Sequence, residues 1–347
     1  MRAVILKEFG GTENLEDAEW PEPKAEEGQL KIRSRTISVN PTDYKARSGA
    51  SGGVLPMLLG RDVAGVVEAA GKNVKNFASG DEVMCYLPRF GDSGGEGYAE
   101  FVSVPAEFAA QKPARLSFSE AAAVPLVSLT AYECVVIKAR AEAGDSAFVA
   151  GGSGGVGTMA IQMLRHMGVD PIITTAGSEK SAAYIHERLG VPDENIVRYR
   201  GLSLEELESR IVTTNGGKLP RLTFDLVGKE MKKLCARLVD YFGHVVSCAP
   251  EPGAPIDDFF HSQKGPLFTK SASFHSVFLR SPVRGGGRPY WGVYRDAIET
   301  IRNWLDSDTI SPPMVSNLGP MTAESISRAH TMLEEGHTQG KLILTVE

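Results

Sequence analysis

A run of glycines carries the clearest chemical signal in the chain. Gly151-Gly-Ser-Gly-Gly-Val-Gly157 sets glycines at 152, 154 and 157, the spacing G-x-G-x-x-G. Glycine-rich turns are common, so the context decides what the spacing means. The short apolar segment 146–150 runs straight into the turn. Met159, Ile161, Met163, Leu164 and Met167 follow at helical spacing as far as Gly168. A strand–turn–helix of this kind lets backbone approach a diphosphate at the helix N-terminus, where free N–H groups and the helix dipole favour an anion. Ser153, Gly154, Gly155, Val156 and Gly157 are therefore the expected contacts of a dinucleotide. The alternative is a tight turn with no ligand.

The next strand tells the two nicotinamide dinucleotides apart. About 20 residues beyond such a turn, NAD-binding chains carry an Asp or Glu for the ribose hydroxyls. Here the second strand, 171–175, runs on through Ala176-Gly177-Ser178-Glu179-Lys180, with no acid at its tip. Ser178 and Lys180 offer a hydroxyl and an ammonium, which suit a 2′-phosphate. NADPH is expected over NADH, with Glu179 pointing away. An ordinary solvated charged turn is the alternative.

Groups that would hold a metal are scattered. Cys85, Cys134, Cys235 and Cys248 form no C-x-x-C pair. The seven histidines, at 166, 186, 244, 261, 275, 330 and 337, form no His-Glu-x-x-His pattern. Neither a disulfide framework nor a zinc knot is expected. A reducing, cytoplasmic setting is the default, with an organelle reached by a trimmed import sequence as the alternative.

Two kinds of element must position these groups. The chain has 347 residues, enough for about two domains at roughly 150 residues each. Up to about residue 125 it reads as short strands, near 3–6, 29–34, 63–68, 82–86 and 98–104, punctuated by Pro21, Pro23, Pro41, Pro56 and Pro88. Such spacing predicts a partly closed β-barrel. From 126 to 280 apolar strands alternate with helices, which predicts an α/β fold with a parallel sheet covered by helices on both faces. The segment 294–307 has Ile298, Ile301, Trp304 and Leu305 on one helical face, and 341–346 alternates as a final strand. The tail 281–347 is thus expected to leave the α/β domain and rejoin the first. A net charge of −6 argues against nucleic acid or anionic membrane as a partner, and no apolar run approaches a membrane span.

With these motifs in order, the chain resembles the medium-chain dehydrogenase/reductase superfamily, in its zinc-free quinone oxidoreductase, zeta-crystallin-like branch. The residues that carry the likeness are Val39-Asn-Pro-Thr-Asp-Tyr-Lys45, Leu59-Gly-Arg-Asp-Val-Ala-Gly-Val-Val67, Phe77-x-x-Gly-Asp-Glu-Val83, Leu129-Thr-Ala-Tyr132, the glycine turn and Gly336-His-Thr-Gln-Gly-Lys341. The resemblance implies a GroES-like β-barrel domain plus a Rossmann domain, with the active site in the cleft between them. It also implies a homodimer joined through Rossmann edge strands, here around 271–277. Where zinc enzymes of the superfamily have a catalytic Cys and Gly-His-Glu, this chain reads Asn40-Pro-Thr-Asp43 and Gly60-Arg61-Asp62. No metal is expected.

Without zinc, the implied acceptors are quinones or the C=C bond of α,β-unsaturated carbonyls, whose carbonyl oxygen needs a donor as hydride adds. By resemblance Asn40 lies by the ribose or nicotinamide, and Tyr44 and Lys45 are the groups that could polarise the carbonyl. The bland alternatives are a packed ring for Tyr44, a surface cation for Lys45 and a structural tie for Asp43. Also by resemblance, Thr130 lies near the nicotinamide ribose, Tyr199 by the adenosine phosphate and Lys341 closing on the cofactor. Ala249 is likewise expected to bind the cofactor, and Phe274, as the position after the last Rossmann strand, to support the nicotinamide carboxamide through backbone groups. In the longer stretch 284–294, Tyr290, Trp291 and Tyr294 could wall the substrate pocket with Tyr44, or be a surface loop followed by core aromatics. The enzymatic alternative is an enoyl-thioester reductase, favoured by Arg280, Arg284 and Arg288. The non-enzymatic alternative is an NADPH-binding structural or regulatory protein.

Overall fold

The computed structural model describes residues 1–90, 96–249, 256–336 and 338–347. They form two compact units. Met1–Leu129 and Arg280–Glu347 make the first, and Thr130–Leu279 the second. His337, part of the C-terminal motif, lies outside the described residues. In chain order the strands are β1 (Arg2–Leu6), β2 (Leu15–Glu19), β3 (Gln29–Val39), β4 (Met57–Leu58), β5 (Asp62–Ala70), β6 (Glu82–Tyr86), β7 (Phe101–Pro105), β8 (Ala109–Gln111), β9 (Ala147–Ala150), β10 (Ile172–Ala176), β11 (Ile196–Arg198), β12 (Leu222–Asp225), β13 (His244–Ser247), β14 (Ser273–Ser276), β15 (Val315–Pro320) and β16 (Lys341–Thr345).

In the first unit β3 is the hub, pairing antiparallel with β5, β7 and β16. The sheet runs β15-β16-β3-β5-β6-β8, and β2-β1-β4 form a separate small sheet. The sequence pattern ends β3 near residue 34, yet the strand continues to Val39. Its register with β5 shifts between Ser34 and Thr36, and a bulge of this kind resets the side-chain alternation. Beyond the bulge Thr36, Ile37, Ser38 and Val39 are all buried. Gly65 belongs to the same irregularity, because a Cβ there would sit 2.2 Å from the Arg33 carbonyl oxygen. The strand β3 then delivers Asn40 directly to the N-terminus of the helix Pro41–Arg47.

In the second unit six parallel strands lie in the order β11-β10-β9-β12-β13-β14, that of a dinucleotide-binding sheet. All four residues of β9 are buried, as expected of a central strand covered on both faces. Phe148, Ile173, Val245 and Leu234 join one core beneath the helices. The helix Pro125–Tyr132 is followed by a π-helical turn, Glu133–Lys138. The helix Gly292–Asp306 in the first unit buries Tyr294, Ala297, Ile298, Ile301 and Leu305. Among the described residues no helix is long and apolar enough to cross a membrane.

Candidate functional site

The glycine turn of the second unit is fixed by its neighbours. Gly151 turns the chain at φ +87°. Thr175 Oγ1 accepts the Gly151 N–H at 3.2 Å, and Thr174 Oγ1 donates to the Val149 carbonyl at 2.7 Å, so β10 braces the end of β9. A Cβ on Gly152 would lie 2.2 Å from Thr174 Oγ1, and one on Gly157 2.2 Å from the Gly151 oxygen. Both positions require glycine for packing alone. Gly154 differs, since its nearest neighbour is the Gly151 oxygen at 3.4 Å, and the protein leaves that side open. Gly157 is buried, whereas residues 153–156 are accessible. The helix Gly155–His166 starts there with no side-chain cap. An open glycine backbone next to uncapped N–H groups fits a diphosphate.

At the tip of β10, Ser178 is exposed and caps the helix Glu179–Leu189, accepting the Ser181 N–H at 3.1 Å. Glu179 is held by Arg198 Nε at 2.9 Å and 3.0 Å. Lys180 is exposed. The Tyr199 ring lies along Gly177, 3.0 Å from where a Cβ would stand. Arg200, next to Tyr199, is exposed and makes no ion pair with a described residue; only that adjacency signals it in the sequence. The Ala249 carbonyl accepts from Lys232 Nζ at 2.7 Å. Thr130 is buried on the helix Pro125–Tyr132. Phe274 lies inside β14, and its half-buried ring packs against the core with ring centroids 6.3 Å from Phe259.

In the first unit the polar groups of the Asn40 region form one buried network. The Asn40 backbone N–H donates to Asp43 Oδ2 at 2.8 Å, and its side-chain Nδ2 to Asp62 Oδ2 at 2.9 Å. Lys341 Nζ donates to Asn40 Oδ1 and stands 3.5 Å from Asp62. Asp62 Oδ1 accepts the Leu126 N–H at 2.8 Å. Burial pushes the Asp62 carboxyl up and the Lys341 ammonium down, and their mutual attraction opposes both shifts. Tyr98 donates to Asp43 Oδ2 at 3.2 Å and lies 3.0 Å from His330 Nε2. Burial, aided by Arg47, lowers His330 to about 3. A neutral His330 with its proton on Nε2 therefore donates to Tyr98. Burial raises Asp43 to about 6 against the pull of Arg61.

Asn40 and Lys341 thus spend their polar atoms on this network. Lys341 is 4% exposed. Tyr44 is half-buried and Lys45 exposed. The expected aromatic wall is not assembled. Tyr294 is 2% exposed and packs on Phe108 at 4.7 Å, because the apolar face of its helix points into the core. Trp291 lies against Phe90 and Phe108 at 5.3 and 5.2 Å, and Tyr290 is 64% exposed. Two side chains that the sequence reading did not single out, Arg61 and Tyr86, are buried beside the network.

Two family models match the chain. "Alcohol dehydrogenase GroES-like domain" covers residues 26–114 and "Zinc-binding dehydrogenase" residues 155–301. The quinone oxidoreductase of Mus musculus is 28% identical, over 99% of this chain and 97% of that one. The chloroplastic NADPH-dependent alkenal/one oxidoreductase of Arabidopsis thaliana is 26% identical, over 99% of this chain and 79% of that one. A mycobacterial protein solved in complex with NADPH superposes with a TM-score of 0.82 at 25% identity, covering 99% of this chain and all of that one. The second model's description names zinc, which the residues here do not fit. Among the described residues no three His, Cys, Asp or Glu side chains are grouped to hold an ion, and a zinc site needs three protein ligands.

Proposed function

Because the chain belongs to the medium-chain dehydrogenase/reductase superfamily, we propose that it is an NADPH-dependent, zinc-independent reductase of quinones or of the C=C bond of α,β-unsaturated carbonyls. The observation that carries this is the glycine turn: Gly152 and Gly157 are packed shut while Gly154 is open, at the head of the sheet's central strand. Relatives named for quinone and for alkenal/one reduction support the acceptor class.

Residues 153–156 would hold the diphosphate. Ser178, Lys180, Tyr199 and Arg200 would receive a 2′-phosphate, with Glu179 tied to Arg198. When bound, NADPH supplies a hydride to the electrophilic carbon, and the negative charge that results goes to the carbonyl oxygen. Tyr44 and Lys45 are the proposed polarising groups, one an O–H donor and one a cation. The Asn40–Asp62–Lys341 network holds the loop that presents them. A second reading, enoyl-thioester reduction, leans on three arginines. Arg288 is engaged by Glu107 at 3.1 Å and Arg280 by the Arg89 carbonyl at 2.7 Å, which leaves little for a long anionic tail.

The test is NADPH oxidation with 1,4-benzoquinone, 9,10-phenanthrenequinone, 1-octen-3-one and crotonyl-CoA. Turnover of a quinone or the enone is expected, and faster turnover of crotonyl-CoA would favour the second reading. Stoichiometric NADPH binding with no turnover on any of the four would leave a binding protein.

A further inference from the structure

Arg61 is in an unusual position for a guanidinium. It is 5% exposed, and no described residue accepts a hydrogen bond from any of its five N–H donors. Its Nη1 is dry and unpartnered. The neighbouring carboxylate is Asp43, with Oδ1 3.8 Å from Arg61 Nε, beyond hydrogen-bond range. That carboxylate already accepts from the Asn40 N–H and the Tyr98 hydroxyl through its other oxygen. A buried charge without hydrogen bonds is costly, so structures rarely leave one unless something else supplies the acceptor.

Beyond the Asp43 carboxylate, two more guanidinium groups lie near Arg61. Leu87 N–H donates to the Arg61 carbonyl at 2.7 Å, which sets Arg61, just before β5, across from the residues that follow β6. Arg89 lies two positions further along that segment and is 2% exposed. Arg280 Nε donates to the Arg89 carbonyl at 2.7 Å, so a third guanidinium reaches the same place. Burial lowers Arg280, and among the charges acting on it Arg89 and Arg61 come first. Tyr86, the last residue of β6, is 4% exposed, and its hydroxyl makes no hydrogen bond with a described residue. In the β5–β6 pairing Tyr86 stands opposite Asp62, the neighbour of Arg61, and its ring packs on Phe108 and Tyr294.

We propose that Arg61, with the Tyr86 hydroxyl beside it, is the seat of an anionic oxygen on the acceptor substrate. A planar guanidinium edge and an O–H donor suit an oxyanion on a conjugated carbon. Two sources share that chemistry: a carboxylate the acceptor already carries, and the enolate or hydroquinone oxygen formed as hydride arrives. The substrate assignment rests on the reductase reading above, whereas the oxyanion site itself stands on the first unit alone.

The test therefore begins without cofactor. Benzoate and its neutral isostere benzamide are titrated into the full chain by calorimetry. Benzoate is expected to bind about tenfold or more tightly than benzamide, with Arg61→Met losing that difference, Arg61→Lys keeping part of it and Tyr86→Phe losing a smaller part. An unchanged circular-dichroism spectrum and cooperative thermal unfolding in each variant show that the fold is intact, and Arg61→Lys serves if the Met variant does not fold. Equal binding of benzoate and benzamide, or unchanged benzoate affinity in Arg61→Met, overturns the site. Steady-state kinetics with trans-4-oxo-2-pentenoate and the neutral 3-penten-2-one separate the sources. A raised KM for the acid alone in Arg61→Met assigns the carboxylate, and a lowered kcat for both assigns the developing enolate. If wild-type protein reduces neither, the reductase reading falls while the benzoate titration still decides the site.

Discussion

Asp43 shows what burial does that residue type alone does not announce. The sequence offers an Asp in a loop, to be read as a tie or an acid. In the structure it is fully buried beneath Tyr98 and beside Arg61, and its carboxyl is raised to about 6. A carboxyl whose folded value exceeds its unfolded value binds its proton more tightly when folded. Its contribution is therefore fully present below about pH 4 and is lost as pH rises through about 6, a fall of about 3 kcal/mol. Urea unfolding across that range should show the decline in wild type and a shallower one in Asp43→Asn; parallel curves would contradict it. Lys45 gives a second residue-scale prediction. If it polarises the acceptor carbonyl, Lys45→Ala lowers kcat for 1-octen-3-one by about tenfold or more with NADPH affinity unchanged; an unaltered kcat removes it from the mechanism. Arg61 was legible only as the occupant of a Gly-Arg-Asp stretch. Its lack of hydrogen bonds comes from contacts between β5, β6 and the C-terminal segment, which no local pattern records.

Among elements, the glycine turn was legible because its constraints are local: a short apolar strand, a turn and an amphipathic helix follow one another in sequence. The individual roles were not, since Thr174 and Thr175 sit on another strand. Gly154 and Gly157 should separate cleanly. Gly157→Ala drives a Cβ to 2.2 Å from the Gly151 oxygen and should cost about 1–3 kcal/mol of stability by thermal unfolding. Gly154→Ala meets only the Gly151 oxygen, at 3.4 Å, so it should fold normally and lose NADPH affinity. Equal stability loss in both would mean that Gly154 is also a packing residue. The far half of β3 and the strands β2 and β15 were missed for physical reasons. A bulge breaks the alternation of β3, β2 is Leu-Glu-Asp-Ala-Glu, and β15 contains Asn, Gly and Pro. Long-range pairing outweighs weak β-propensity in each. The aromatic stretch after Arg288 went the other way: the helical period that places Ile298 and Ile301 inside also draws Tyr294 inside.

For the whole molecule, alternation of strands and helices made the α/β part legible, and the return of the C-terminal strand to the first unit followed from its alternating pattern. Mutual placement of distant polar groups, such as Lys341 on Asn40 and Asp62, did not. We propose a homodimer through β14, which among the described residues pairs with β13 on one side only. A dimer mass in sedimentation equilibrium, reduced to the monomer by Ser276→Pro, is expected; a wild-type monomer excludes it. The central claim is hydride transfer from NADPH to a conjugated acceptor, and isotope transfer tests it most directly. Reduction of 1-octen-3-one with NADPH dideuterated at C4 should give octan-3-one carrying a single deuterium on its terminal C1 carbon. Octan-3-one formed without deuterium at C1, or NADPH left unoxidised in its presence and in that of the quinones, would contradict the account.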